Sequence, residues 1–545
     1  VARRDAGLRF EFTDDDAIRL RPVLGGFEVR DGVLRLTQHN NDLLVTDRPI
    51  SIARDGYGAI ELRIKMRKGS TAILYWCRYL VDLGTAEGRR KEKARIARLT
   101  VNTIPDGQFH TYVIDARTVL QKKTSPGSKI RSLGLLASSA DGDVVEIDYL
   151  RFVPKREKYA RRPAGRANET IAREMRSVLY VNTPLVLDYE IDVPDDEPTL
   201  RFGMGVLEDR DPVRFTASID GGEGVEIVHA EEVSDTSAWR DAVIDLSRWS
   251  GRQVRVSLRA DSAGGNVAFW SNPAVTSAQP SRINVILVLE DALRADHLSL
   301  YGHERETSPE KTRFARDGVV FEHAYSQATK TRPSCPSFMT SLFPSATGVV
   351  NHSTVLDERY LTLAEVMRSQ GFVTASLPQN SNAGPAGGLH QGFSYVYDRS
   401  VASTSEALFG GAMLPWLEQH GDRNFFLYLH AINPHGVYDP KPPHDAFYRD
   451  EGPGKTPVKP DTRILDAKWV EHPTVEGRRL LYDGEVLDND YWFGKLLADL
   501  ERLGLRDDTL IVTIADHGEH LGEHGRWGHT PPGFVQVTHV PLVMV

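Results

Sequence analysis

The segment Ile283-Asn-Val-Ile-Leu-Val-Leu289 is apolar at every position but one. A strand with one wet face would alternate polar and apolar residues, so both faces of this one must be covered. Strands of that kind belong to parallel sheets flanked by helices. Two more such runs follow, Phe425-Phe-Leu-Tyr-Leu-His430 and Thr509-Leu-Ile-Val-Thr-Ile-Ala515. Between them, Leu481–Leu503 repeats apolar residues every three to four positions, the period of an amphipathic helix. This alternation predicts an α/β domain with a mostly parallel sheet over residues 282–545.

The first half has another texture. Phe27–Arg30, Val33–Leu36, Ala59–Met66, His110–Asp115 and Val144–Val153 lean towards period two, and helical periodicity is nearly absent. Residues 1–154 therefore read as an all-β sandwich; in pattern it resembles the jelly rolls that often accompany carbohydrate-active enzymes, which implies a candidate carbohydrate-binding domain. A basic linker, 155–166, leads to a second β-rich block, 167–278, expected to be another sandwich. If these blocks bind glycans, Trp76, Tyr79 or Trp270 should line a groove; rings buried in the cores favour spacers.

At 545 residues the chain exceeds what one core can organise. A net charge of −9, with both signs interspersed, excludes a general nucleic-acid binder. With only Cys77 and Cys335, neither a disulfide framework nor a cysteine zinc cage is available. No run of about 18 apolar residues occurs, so no membrane span is expected in this chain. The chain starts at Val1 and stops on Val540-Pro-Leu-Val-Met-Val545, which reads as a strand cut short. The 282–545 domain is therefore expected to be C-terminally incomplete, and a missing signal or anchor would imply an extracytoplasmic location.

In open α/β sheets, ligands bind beyond the carboxyl ends of the strands. The first buried strand runs into Glu290-Asp291, the last into Asp516-His517-Gly-Glu519, and the middle one into His430 and Asn433-Pro-His435. Carboxylates and imidazoles at three strand ends suit one metal ion. Within Thr331-Arg-Pro-Ser-Cys-Pro-Ser337, three side chains are candidate nucleophiles: Thr331, Ser334 and Cys335. Two overlapping [S/T]-x-P-S patterns leave the register open.

Val285–Gly302, Thr331–Cys335, Asn433-Pro-His435 and Ile514–Gly525 together resemble the sulfatase branch of the alkaline phosphatase superfamily, in matching order and spacing over 282–545. In that family the nucleophile opens a [C/S/T]-x-P-S motif, and an aromatic-Pro pair follows the motif's Pro by about ten residues. Thr331 puts Phe343-Pro344 in that place, so the resemblance implies Thr331 as nucleophile. The formylglycine signal C-x-P-x-R is absent, which implies direct attack by a hydroxyl, as in the phosphoethanolamine transferases, lipoteichoic-acid synthases and nucleotide pyrophosphatase/phosphodiesterases. The implied metal ligands are Asp291, Asp516, His517 and Thr331, around one divalent ion. Imidazole favours Zn²⁺ or Mn²⁺ over Ca²⁺. His435 and His529 take the places of groups that bind non-bridging oxygens or protonate the leaving group.

Two residues depart from the family pattern: Glu290 stands where a small or apolar residue is usual, and Ala292 where a second carboxylate is usual. Glu519, His520 and His524 are candidates near the metal or in a helix cap. Arg294 and Asp296 are expected to open the first helix. Asn351, His352, Asn380 and Asn382 fall on loops that border the pocket in relatives. The expected function is a metal-dependent hydrolase of sulfate, phosphate or phosphonate esters on a glycan or other surface polymer. The alternatives are a phosphoethanolamine- or glycerol-phosphate-type transferase and a glycan-binding protein with an inactive domain. The expected partner is a sulfated or phosphorylated substrate, with polysaccharides included.

Overall fold

The computed structural model describes residues 9–10, 20–22, 27–39, 43–46, 50, 52–53, 57–77, 97–115, 129–209, 211–277, 283–352, 354–397, 404–447, 475–529 and 531–545. The chain divides into two compact units. One comprises Val1–Gly165 with Tyr180–Leu185 and Gly264–Val267; the other comprises Arg166–Leu179, Val186–Ala263 and Ala268–Val545.

Among the described residues the first unit holds two larger antiparallel sheets, one of six strands and one of five, and a two-stranded one that pairs Ile52–Ala53 with Lys129–Ile130. Along Tyr57–Lys65 the buried residues are Ile60, Leu62 and Ile64, with Glu61 and Arg63 turned the other way. These pack with Leu74, Trp76, Leu133 and Leu135 of the second sheet in one core, which is a sandwich. Trp76 is 1% exposed, so it fills that core instead of lining a groove. Tyr79 lies outside the described residues. The expected linker carries structure: Lys155–Tyr159 is a short helix, and a strand begins at Ala164.

The second unit is organised by five parallel strands: β1 (Asn284–Glu290), β2 (Val373–Pro378), β3 (Tyr395–Tyr397), β4 (Phe425–Ala431) and β5 (Thr509–Ala515). Their spatial order is β3-β2-β4-β1-β5. An antiparallel strand, β6 (Leu542–Met544), follows beside β5. Helix α1 (Thr331–Thr340) and the long helix α2 (Val475–Arg502) belong to the same unit. α2 packs Phe493, Leu496 and Leu500 against the sheet core with Ile286 and Leu427. Among the described residues no helix is long and apolar enough to cross a membrane.

The parallel sheet does not stop at β3. Strand Glu174–Asn182 pairs antiparallel with it, Arg176 opposite Tyr395, and three further strands continue outward to Arg240–Asp245. The sheet therefore has twelve strands and is mixed, parallel only at its centre. A separate four-stranded sheet, Leu185–Asp192, Val213–Asp220, Val225–Val233 and Gln253–Asp261, completes the second sandwich. Between its layers, Trp270 meets Phe202 and Phe215 edge-on at 4.9 Å from each, and is fully buried. The block expected as a separate sandwich over 167–278 thus shares a sheet with the α/β region, because Glu174–Arg176 offers its backbone to the edge of β3.

Candidate metal centre and nucleophile

β1, β4 and β5 end in register: Glu290 is level with both Ala431 and Ala515, and Pro378 of β2 is level with His430. Asp291, Asn380, His430 and Asp516 therefore emerge at one edge of the sheet. Ala292, next after Asp291, adopts the left-handed region (φ 63°), which turns the chain sharply away. No α-helix follows there. Arg294 and Asp296, expected to open one, stand on a 3₁₀ turn and pair with each other at 2.6 Å, and Arg294 also reaches Glu523 at 2.9 Å.

Asp291, Asp516 and His517 are fully buried, and one ligand atom from each lies within 4.8 Å of the others. Their hydrogen bonds choose which atoms face the centre. Asp516 Oδ1 accepts the backbone N–H groups of Ala292 (3.2 Å) and His517 (2.9 Å), while its Oδ2 is buried with no hydrogen-bond partner. Asp291 Oδ2 accepts from Asn380 Nδ2 at 2.9 Å and lies 3.4 Å from His430 Nε2. Asp291 Oδ1 is left facing Thr331 Oγ1 (3.5 Å) and His517 Nε2 (3.6 Å). His517 Nδ1 donates to the Gly518 carbonyl at 2.9 Å, so Nε2 presents its lone pair inward. Two carboxylate oxygens and an imidazole nitrogen converge here, Asp516 Oδ2 with no hydrogen-bond partner and the other two met only by the Thr331 hydroxyl at long range, a set that fits a borderline divalent cation.

The two acids respond in opposite directions. Burial opposes the charge on Asp291, but His435, His430 and His517 outweigh it and hold the carboxyl well below the usual range. Burial, reinforced by Asp291, pushes Asp516 up. A second group with the same donor types, His297, His303 and Asp483, behaves differently. Both Asp483 oxygens are taken, by His297 Nδ1 at 2.6 Å, His303 Nε2 at 3.1 Å and the Arg305 guanidinium at 3.2 Å.

Thr331 is the first residue of α1 and 3% exposed, with Oγ1 3.4 Å from His517 Nε2. No side chain caps the start of α1, and its first backbone N–H groups favour negative charge there. Ser334 is not a helix cap: Lys330 holds that position, and the Ser334 hydroxyl donates to the Asp516 carbonyl at 2.7 Å. Cys335 is fully buried beside Tyr428, and burial drives its thiol well above the ordinary range.

His435 and His529 stand together, Nε2 to Nε2 at 3.2 Å. Each Nδ1 donates to a carbonyl, His435 to Gly436 (2.8 Å) and His529 to Thr329 (3.0 Å). Only one proton fits between the facing nitrogens, so one ring is an imidazolium. Burial lowers His435, but Asp291 and Glu519 raise it to about 9. Burial, with His517 and His435 as neighbours, pulls His529 down to about 3. His435 is thus the charged member. The His529 ring also stacks on His517 at 4.4 Å.

Of the remaining candidates, Glu519 is buried and accepts the Tyr438 hydroxyl, and His520 is buried in a two-residue strand. His524 is exposed and stacked on Phe534 at 4.0 Å. None of the three sits in an α-helix cap. Asn351 is exposed. Sequence reasoning passed over Arg332, buried one residue after Thr331, and Lys311, whose ammonium lies 3.0 Å from Glu290 Oε1.

The family model described as Sulfatase matches residues 283–545. The chain is 23% identical over 357 residues to the multifunctional alkaline phosphatase superfamily protein PehA of Trinickia caryophylli, covering 48% of this chain and 68% of that one. It is 24% identical to the ulvan-active sulfatase of Formosa agariphila, covering 45% and 52%, and 25% identical to the phosphoethanolamine transferase EptA of Salmonella typhimurium, covering 50% and 48%. The chain thus spans about half to two thirds of the length of these relatives. Among solved structures, the phosphonate monoester hydrolase of Agrobacterium radiobacter aligns at TM-score 0.40 and 21% identity, over 48% of this chain and 68% of that one.

Proposed function

Residues 283–545 are a sulfatase domain of the alkaline phosphatase superfamily, and from that premise we propose that the protein is a metal-dependent hydrolase of sulfate, phosphate or phosphonate esters. Its substrate is a sulfated or phosphorylated glycan or other surface polymer, met outside the cytoplasm. One observation carries the reading. The inward oxygens of Asp291 and Asp516 and the Nε2 of His517 are left without a protein cation, beside a threonine hydroxyl at a helix start.

Asp291, Asp516, His517 and Thr331 would hold one divalent ion, and the imidazole favours Zn²⁺ or Mn²⁺ over Ca²⁺. Such an ion would supply positive charge against which the Thr331 hydroxyl loses its proton to solvent and the ester oxygens gain negative charge. Thr331 Oγ1 attacks the sulfur or phosphorus, forming a bond to it as the bond to the ester oxygen breaks. The leaving oxygen takes the proton that His435 holds between itself and His529. Water then displaces Thr331 from the sulfur or phosphorus, passing one proton to the His435–His529 pair and the other to Thr331 Oγ1, so the product leaves as its ionised acid. Asn380 and His430 hold the outer oxygen of Asp291, and the inner one keeps its aim.

One observation favours a second reading, in which an acceptor hydroxyl replaces that water. The relatives include a phosphoethanolamine transferase at 25% identity, as near as the sulfatases. The test is a panel of aryl sulfate, phosphate monoester, phosphodiester and phosphonate offered to the Zn²⁺- or Mn²⁺-loaded protein in ¹⁸O-water. Labelled sulfate, phosphate or phosphonate product is expected. Unlabelled transfer to an added alcohol would replace the hydrolase by the transferase, and inertness towards all four esters with stoichiometric metal would reject the hydrolase.

A further inference from the structure

Four described arginines of the second unit are buried; Arg478 lies over the Trp527 ring at 4.4 Å, and the other three are treated differently by their surroundings. Arg176 is clamped by Glu174 and Asp241, and Arg294 by Asp296 and Glu523. Arg332 is as enclosed, 6% exposed, yet its partners are neutral: Nε donates to Asn382 Oδ1 at 3.1 Å and Nη1 to the Thr354 carbonyl at 3.3 Å. No carboxylate among the described residues pairs with it. Burying a charge that way is costly unless an opposite charge arrives.

The placement of this cation is informative. Arg332 directly follows Thr331 at the start of α1, and Lys330, half-buried and without a carboxylate among the described residues, precedes it. The 3₁₀ turn Ser381–Ala383 and its cap Asn380 tie both places together: Asn380 grips Asp291, and Asn382, two residues on, grips Arg332. His352, on the exposed loop beyond, adjoins the same Asn382, and partial burial with the neighbouring Lys330 and Arg332 charges lowers its imidazole, so it adds a neutral hydrogen-bonding ring to the two cations. The basic group therefore adjoins the metal centre but is not part of it. The reacting ester is already served by the metal ligands, His435 and His529.

We propose that Lys330, Arg332 and His352 form a second anion subsite, and that the natural substrate carries a further anionic group next to the ester that is cleaved. This rests on the ester-cleaving role assigned above and narrows its substrate class to polyanions. The second group is a sulfate, phosphate or carboxylate on the same or the adjoining sugar. It supplies the counter-charge that Arg332 lacks, through a guanidinium fork suited to two-oxygen acceptors.

The test is calorimetric binding to the metal-loaded Thr331→Ala protein, where turnover is blocked, with and without Arg332→Gln. Three disaccharides are compared: one bearing a single sulfate, one with an added sulfate and one with an added uronate carboxylate. Removing a charge-assisted hydrogen bond should weaken binding of a dianion about ten- to hundred-fold and leave the monosulfate within about three-fold. Whichever dianion shows the loss identifies the group. Equal losses for all three ligands, or no preference for dianions before the substitution, would overturn the subsite. If Arg332→Gln does not fold, Lys330→Gln replaces it, with a loss of about three-fold or more confined to dianions expected and none overturning the proposal. Turnover of simple aryl esters without an Arg332-dependent preference rejects the subsite and keeps the hydrolase. Arg332-dependent binding without turnover in the parent does the reverse.

Discussion

Glu290 and Asp291 are neighbours at the end of β1, and the chain treats their charges in opposite ways. Glu290 points to a side where the protein supplies its own cation: Lys311 Nζ lies 3.0 Å from Oε1 and 3.6 Å from Asp490 Oδ1, and Asn489 donates to Oε1 at 2.5 Å. Asp291 points to a side where a second carboxylate waits, Asp516 Oδ2 has no hydrogen-bond partner and His517 Nε2 meets only the Thr331 hydroxyl at 3.4 Å. A buried charge that serves the fold is neutralised by the fold; one that serves a ligand is left in deficit. The same contrast separates Asp483, fully engaged, from Asp516, and Arg294 from Arg332.

The largest effects should come from the side in deficit. Asp516→Ala should lose the bound metal and all turnover, and Thr331→Ala should lose turnover by about 10³-fold or more while keeping its fold. Metal analysis beside a turnover assay checks both, and stoichiometric metal in Asp516→Ala would erase the contrast. On the neutralised side, Lys311→Met leaves two buried carboxylates uncompensated and should cost about 3–5 kcal/mol in denaturant unfolding, with metal still bound by the folded protein.

A third buried carboxylate lies between the extremes. Glu485 accepts only the Asp439 backbone N–H among its favourable hydrogen bonds, and burial, with Asp488 and Asp439 nearby, raises it to about 7. The folded state binds this proton more tightly than the unfolded chain, so its contribution is present below about pH 4.5 and fades as the pH climbs to 7. Stability should fall by about 3 kcal/mol across that window, and Glu485→Gln should flatten the curve. Identical pH profiles for parent and variant would remove Glu485 from the series. His430→Leu strips Asp291 of a neighbour and should weaken metal binding about 10–100-fold in chelator competition, with little change in melting. The smallest effect is expected from Cys335→Ala: about 1 kcal/mol of stability and unchanged turnover. Its inactivation would return the nucleophile question to the thiol.

The sequence makes the centre of the second unit legible because its signals are local. β5 spans Thr509–Ala515 as its apolar run predicts, and Asp516-His517 follows it into the site. α2 ends at Arg502, one residue from the expected Leu503, though it starts six residues earlier, at Val475. What escaped depends on partners far along the chain. β3 is three residues long and has no period to detect, yet it joins residues 174–176 to 395–397. The turn after Asp291 hides an alanine in a conformation that a helix-forming residue does not advertise. Ser334 is a candidate nucleophile in sequence, and only the structure shows its hydroxyl already donating to the Asp516 carbonyl. The role of Glu290 was invisible for the same reason: Lys311 is 21 residues away in sequence and belongs to another element.

The seam at β3 also bears on modularity. A catalytic fragment begun at residue 282 would present the unpaired N–H and C=O groups of Tyr395–Tyr397 to solvent, a template for any passing strand. The antiparallel strands outside it act as a selvedge, the woven border that keeps a cloth from fraying. Separating the two halves at that line would therefore expose an edge able to pair with a second copy of itself.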